Sequence, residues 1–356
     1  MMNWYQNTAS LQIDITSHCN ARCGACVRNK DGDEVRPELI LEHFDVDIWD
    51  RIAKEDTRGW YIRELVLNGN WGDPMMHPNL VEMLDTFASH HPEASLYIHT
   101  NGSMRTKKFW NDLATSCRKF ANHVVVFAVD GLEDTHSIYR RKTIFSKIVE
   151  NIKAFTANDG RANVTMTLFK HNQHQVKEVE ALAQECGAIM FNLRESHAEA
   201  MYIDIKNDSD ESYHIYASND IKPYTKVFDD NDQSSLSDLR DYPVMIKARE
   251  LDPAEDLPYR QETKCPWYND RMIQIDPWAV VWPCCHISLY GVETSEHEIG
   301  GWVDDSINGA RESNSLKSGK TLQEVLTDDW FHIHVESVLE KASWIQCRKT
   351  CGICPD

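Results

Sequence analysis

Short apolar runs recur along the first part of the chain, at Leu11–Thr16, Leu65–Asn68, Leu96–Thr100, Val124–Val129, Val164–Phe169 and Met190–Leu193, and polar or turn-forming residues follow each one. Runs of this kind read as buried strands. Between them, apolar residues return at a spacing near 3.6 over Leu80–Ser89, Phe109–Phe120, Ile144–Phe155 and Val176–Cys186, which predicts helices with one buried face. Alternation of strand and helix requires parallel pairing and right-handed crossovers. The expected fold is therefore α/β, a partial (β/α)6 TIM-like barrel. In such a fold the C-terminal ends of the strands share one mouth, where ligand-binding loops gather. Cys19, Asn68 to Pro74, Thr100 to Gly102, Asp130 to Gly131 and Asn192 to Arg194 all follow predicted strands directly.

The pattern changes near residue 201. Acidic patches such as DSDES and DDNDQSS and weak periodicity mark 201–264 as a partly ordered connector or insertion. Beyond it, a strand pair at Met272–Ile275 and Val280–Trp282, a helix at Leu322–Leu326 and another in the 330s predict a small C-terminal α+β domain. The expected organisation is a core over 1–200, the connector over 201–264 and an auxiliary domain over 265–356.

Composition narrows the chemistry. Apolar residues make up 42% of the 356, enough for a packed core. No run of about 18 apolar residues occurs and MMNWYQNTAS lacks signal-peptide character, so a cytoplasmic protein with no membrane partner is expected. A formal charge of -19 disfavours nucleic acid as a partner, because phosphate backbones are held by clustered Lys and Arg.

Eleven cysteines in a reducing compartment point to metal rather than disulfides. Cys117 and Cys186 stand alone in helix-like stretches and read as buried structural thiols. Cys19, Cys23 and Cys26 lie in ITSHCNARCGACVRN, on a loop after a predicted strand. Three thiolates on a four-iron cubane leave one iron open to a cofactor. Structural zinc, the alternative, takes four ligands, and His18 is awkwardly placed to be the fourth.

The CxxxCxxC spacing of Cys19, Cys23 and Cys26 resembles the signature of the radical S-adenosylmethionine (SAM) superfamily. The resemblance implies a 4Fe-4S cluster whose open iron is chelated by SAM, reductive cleavage of SAM to a 5′-deoxyadenosyl radical, and hydrogen abstraction from a substrate. Ala25 stands where the family usually has an aromatic residue. LVLNGNWGDPMMHP is similar to the family's glycine-rich loop, which implies that Gly69, Asn70, Trp71, Gly72 and Asp73 surround the SAM ammonium group; an ordinary turn would look the same. Asn101 in IHTNGS would reach ribose or carboxylate, unless Asn-Gly is only a turn. In VDGLEDTHSIYR, Asp130 would bind the ribose hydroxyls and Arg140 the SAM carboxylate; the plainer alternative is a surface ion pair. Arg194 is a further candidate for that carboxylate. His171 and His174 read as helix-cap and surface residues.

Cys265, Cys284, Cys285, Cys347, Cys351 and Cys354 form a second concentration around the predicted hairpin. It resembles the SPASM domain or its shorter Twitch variant, which implies a second, auxiliary 4Fe-4S cluster, with a four-thiolate zinc site as the alternative. Cys265, Cys284 and Cys351 are the expected ligands, Cys347 and Cys354 compete for the fourth place, and Cys285 packs. The expected function is oxidation or cross-linking of a peptide or small-molecule substrate, with a reducing partner such as flavodoxin or ferredoxin. Nothing ahead of Leu11 resembles a leader-peptide-binding domain. A redox-neutral epimerase, with Cys117, Cys186 or Cys285 as nominal hydrogen donors, and a non-enzymatic metal scaffold are the alternatives.

Overall fold

A computed structural model describes residues 8–30, 34–55, 62–196, 202–206, 212–218, 220–228, 267, 271–290 and 310–335. Thirteen strands matter here: β1 (Ser10–Ile13), β2 (Arg22–Cys23), β3 (Glu64–Leu67), β4 (Ser95–Thr100), β5 (Asn122–Ala128), β6 (Arg140–Arg141) and β7 (Ala162–Leu168) come first. They are followed by β8 (Met190–Glu195), β9 (Tyr202–Lys206), β10 (Ser212–Tyr216), β11 (Tyr224–Val227), β12 (Met272–Ile275) and β13 (Val281–Trp282). The principal helices are α1 (Val46–Lys54), α2 (Leu80–His90), α3 (Lys107–Cys117), α4 (Phe145–Thr156) and α5 (Val176–Glu185). The architecture is mixed α/β with a parallel sheet at its core, the partial barrel expected from the alternation. The chain divides into two compact units, one of 14–43 and 66–234, the other of 1–13, 44–65 and 235–356.

The first of these, the site unit, orders its strands β11-β8-β7-β5-β4, with the Val66–Leu67 end of β3 next to β4. β4/β5, β5/β7 and β7/β8 are parallel pairs, and β11 closes the edge antiparallel to β8. Because side chains alternate across a strand, the register sorts residues onto two faces. One row runs Ile98, Val125 and Phe127, Val164 and Phe191. It packs under the helices: the Phe127 ring lies 5.1 Å from Trp110 of α3 and 6.0 Å from Phe155 of α4, all three fully buried. Burying each such aromatic contributes about 1.5–3 kcal/mol. The opposite row, Tyr97 and His99, Val126, Asn163 and Thr165, and Asn192, is far more polar. Helix α3 begins at Thr106, whose hydroxyl accepts from Phe109 N.

In the other unit β1 and β12 pair in parallel, Leu11 opposite Ile273 and Ile13 opposite Ile275, and β12 turns back into β13. The turn is built on buried Asp276, which accepts from Trp278 N, Val280 N and, at 2.8 Å, Trp282 Nε1. Ala279 within it has φ 63°, the left-handed region. Helix α1 is tied to 316–323 of the same unit: Arg51 donates to the carbonyls of Gly319 and Leu316, and Glu55 accepts from Leu322 N and Gln323 N.

Strands β9, β10 and β11 lie inside the stretch read as a partly ordered connector or insertion; β11 is short and two of its four residues are exposed, so it lacks the apolar run that marks the others. One detail differs from the sequence reading: the second hairpin strand starts at Val281 rather than Val280, since Val280 N is used by the Asp276 turn.

Candidate metal and cofactor site

All residues of the first predicted site fall in the site unit. The cysteine loop is drawn tight by its own backbone. Cys26 N donates to Cys23 O, Asn29 N to Cys26 O, and the buried Asn29 amide to Cys23 O at 3.1 Å. Ser17 anchors the start, bonding the carbonyls of Ile40 and Glu42. Strand β2 then pairs with β6, which puts Cys23 opposite Arg140. Cys23 is buried, and Cys19 and Cys26 are half-buried. Donors already face the sulfurs: Ala21 N lies 3.4 Å from Cys19 Sγ, Asn101 Nδ2 lies 3.9 Å from it, and Arg140 Nη1 lies 3.9 Å from Cys23 Sγ.

Three thiols crowded in a partly buried loop resist ionising. Burial, aided by Asp73 and Cys23, pushes the Cys19 thiol far up, and burial pushes Cys23 up to about 11 against the pull of Arg140. Burial raises Cys26 too. A cationic centre reverses this, because thiolate ligation is favoured wherever positive charge arrives. Among the described residues no three His, Cys, Asp or Glu side chains converge on a single ion. A cubane asks for something else, ligands at separate corners.

The glycine loop packs directly on the cysteine loop. A Cβ at Gly72 would lie 2.3 Å from Thr16 O and 2.6 Å from His18 O, and one at Gly69 would lie 1.7 Å from Gly72 O. Only glycine permits these approaches. Asp73 N donates to His18 O, while the buried Asp73 carboxylate accepts from Met75 N, Thr100 Oγ1, Asn101 N and Asn101 Nδ2. Burial raises its pKa and these bonds oppose the rise. Asn101 in turn accepts from Ser103 and donates to Asn20. Asp73 and Asn101 thus tie the glycine loop to the end of β4. The Asn70 amide nitrogen is buried with no protein partner.

Asp130 is wholly buried and both its oxygens are engaged: Oδ1 accepts from Thr167 N, and Oδ2 from Arg140 Nε at 2.6 Å. The plain alternative of a surface ion pair is thereby corrected, since the Asp130 carboxylate has no exposure and the Arg140 side chain only 19%. Although burial opposes it, Asp130 and then Cys23 hold Arg140 firmly cationic. His136 Nδ1 accepts from Asp130 N, and burial pushes this imidazole down to about 4, so it stays neutral.

Other sequence candidates fall elsewhere. Arg194 lies half-buried one residue before the end of β8, and burial with the charge of Arg194 pushes His99 down to about 3. His174 is exposed, whereas His171 is half-buried and stacks on Phe169 at 5.3 Å, which corrects its reading as a surface residue. Cys117 and Cys186 are buried. Cys284 is buried at the end of the β12–β13 hairpin, its sulfur accepting from Ile287 N, and Cys285 is half-buried. Cys265, Cys347, Cys351 and Cys354 lie outside the described residues.

Sequence reasoning missed two arginines. Arg105 donates to the carbonyls of Met75 and His77, clamping the far side of the glycine loop. Arg28 is 2% exposed, with Nε on Trp71 O and Nη2 on Ser17 O. Its place two residues after Cys26 was the available signal, because buried thiolates need a cation nearby.

Residues 13–183, the stretch that contains this site, match the family model of the radical SAM superfamily. Among solved structures it is similar to native anSMEcpe with bound AdoMet and Cp18Cys peptide, at 14% identity over 97% of this chain and 88% of that one, with a TM-score of 0.52. It is also similar to Streptococcus suis SuiB bound to precursor peptide SuiA, at 15% identity over 93% of this chain and 68% of that one, with a TM-score of 0.51. These likenesses bear on the fold alone. Against native anSMEcpe with bound AdoMet, at 17% identity and a TM-score of 0.40, the alignment takes in 52% of this chain and spans half of that one, 50%. No curated protein matches the chain. No helix among the described residues is long and apolar enough to cross a membrane.

Proposed function

We propose that this protein is a radical SAM enzyme that oxidises or cross-links a peptide or small-molecule substrate in the cytoplasm. The reading rests chiefly on one observation: a tight three-cysteine loop whose backbone is locked to the glycine loop at Thr16 and His18 and to Arg140 through the β2–β6 pair. A 4Fe-4S cluster with SAM fits these residues. The thiols of Cys19, Cys23 and Cys26 would provide its corners, and the buried unpartnered nitrogens of Asn70 and Arg28 are donors left for a group the protein does not itself provide. When bound, the pair supplies a one-electron cleavage of SAM to the 5′-deoxyadenosyl radical, which takes hydrogen from the substrate.

Within this reading each residue has a defined task. Arg140, aimed by Asp130, presents charge to the SAM carboxylate, so Asp130 acts as a positioning residue. The backbone carbonyls between Gly69 and Gly72 would receive the SAM ammonium group, and Asp73 with Asn101 keeps the glycine loop in register with the end of β4. The polar row of Tyr97, His99, Thr165 and Asn192 faces away from the helices and suits a polar substrate; the buried Asn192 Oδ1 has no protein partner. A peptide is favoured because SuiB and anSMEcpe of similar fold have peptides bound. Cys284, with Cys265, Cys351 and one of Cys347 and Cys354, would hold an auxiliary cluster of SPASM or Twitch type and take up the electron left by substrate oxidation. Flavodoxin or ferredoxin would deliver electrons to the first cluster.

The test is anaerobic incubation of the reconstituted full chain with SAM and dithionite. We expect 5′-deoxyadenosine from the wild type and none from Cys23→Ala. Fully loaded wild type that yields none would rule out the proposal.

A further inference from the structure

The guanidinium of Arg28 has a role that the binding residues leave open. The side chain is 2% exposed, and no carboxylate pairs with it among the described residues. Two of its nitrogens are spent on backbone: Nε donates to Trp71 O at 2.9 Å and Nη2 to Ser17 O at 2.8 Å. The third, Nη1, is buried with no protein partner. Burial lowers its pKa, and the nearby thiols of Cys19, Cys26 and Cys23 oppose that fall while Arg22 adds to it. A buried cation without a counter-ion is costly, and an unpaired donor on it more so. The planar fork explains why this is arginine: two arms fix the group to the glycine loop and the cysteine loop, and the third is left pointing at a fixed angle.

We propose that Arg28 sets the reduction potential of the first cluster, the unpartnered Nη1 offering its donor to a sulfide of that cluster while the buried charge stabilises the reduced state. This rests on the radical SAM reading above. One-electron reduction adds a negative charge to the cluster, so a fixed cation nearby makes the electron easier to accept and raises the potential.

The measurement is a redox titration of the reconstituted full chain with titanium(III) citrate as the one-electron donor, followed by electron paramagnetic resonance. The signal that changes on adding SAM marks the first cluster. Arg28→Gln, loaded with iron, should show a lower potential for that signal than the wild type. Arg28→Lys has one nitrogen for three acceptors, so it should shift the same way by less, and it decides the matter if the glutamine variant does not load. A loaded variant at the wild-type potential overturns the role of Arg28. Should the wild type give no SAM-sensitive signal at all, it is the radical SAM reading that falls.

Discussion

The buried Asp73 side chain carries more of the site than its place in a turn suggests. Four donors converge on it, two from Asn101, and Asn101 reaches Cys19 Sγ at 3.9 Å. Asp73→Asn brings an amide into a pocket of donors, where one N–H set must face another. We expect it to cost about 2–4 kcal/mol of stability and to weaken SAM binding more than tenfold while the three cysteines still load iron. Calorimetric titration with SAM and iron analysis would check both, and unchanged affinity would make Asp73 purely a turn residue. At this scale the sequence disclosed the thiols and the glycines, because spacing is visible in one dimension. It concealed how Asp130 and Arg140 spend their bonds, and Arg28 and Arg105 carried no motif. Those depend on carbonyls far away in sequence, such as Trp71 for Arg28 and Met75 for Arg105.

Strands of the site unit were legible because they are buried on both faces and so read as apolar runs, and helices because each buries one face, so the 3.6 period survives in the sequence. β7 and α4 sit within a few residues of their predicted bounds, Val164–Phe169 and Ile144–Phe155. The short exposed β11 left no such trace. Turns are harder to read, and the β12–β13 hairpin shows why: its left-handed position is occupied by Ala279, a residue that gives no hint of φ 63°. For an L-residue this conformation costs roughly 1–2 kcal/mol. Ala279→Gly should therefore stabilise the hairpin by about 1 kcal/mol, raising the denaturant midpoint without changing its slope. A lower midpoint would mean that the alanine methyl packs well enough to outweigh its strain.

The two units should respond to acid in opposite directions. In the site unit, burial is the first cause pushing His43, His123 and His136 down to about 4 and His99 to about 3. Unfolded imidazoles titrate near 6.5, so below that pH the unfolded chain takes up protons that the folded one refuses. Their contribution to stability is full above about 6.5 and is lost as pH falls toward 4. In the hairpin unit Asp276 behaves conversely, since burial pushes it up to about 6. Its contribution is full below about 3.9, the usual aspartate value, and is lost as pH rises through 6. Amide exchange, corrected for intrinsic rates, should show protection falling in β4, β5 and β7 between pH 7 and 4.5 while β12 holds. Equal loss in both units would contradict this assignment. Residues 1–13, 44–65 and 235–356 share one unit, an association set by packing and not by local period, so the sequence pattern carries no sign of it. That interleaving bears on biosynthesis. β1 leaves the ribosome long before its partner β12 exists, so Leu11 and Ile13 must wait, shielded by a chaperone or by a temporary neighbour, until the far end of the nascent chain emerges.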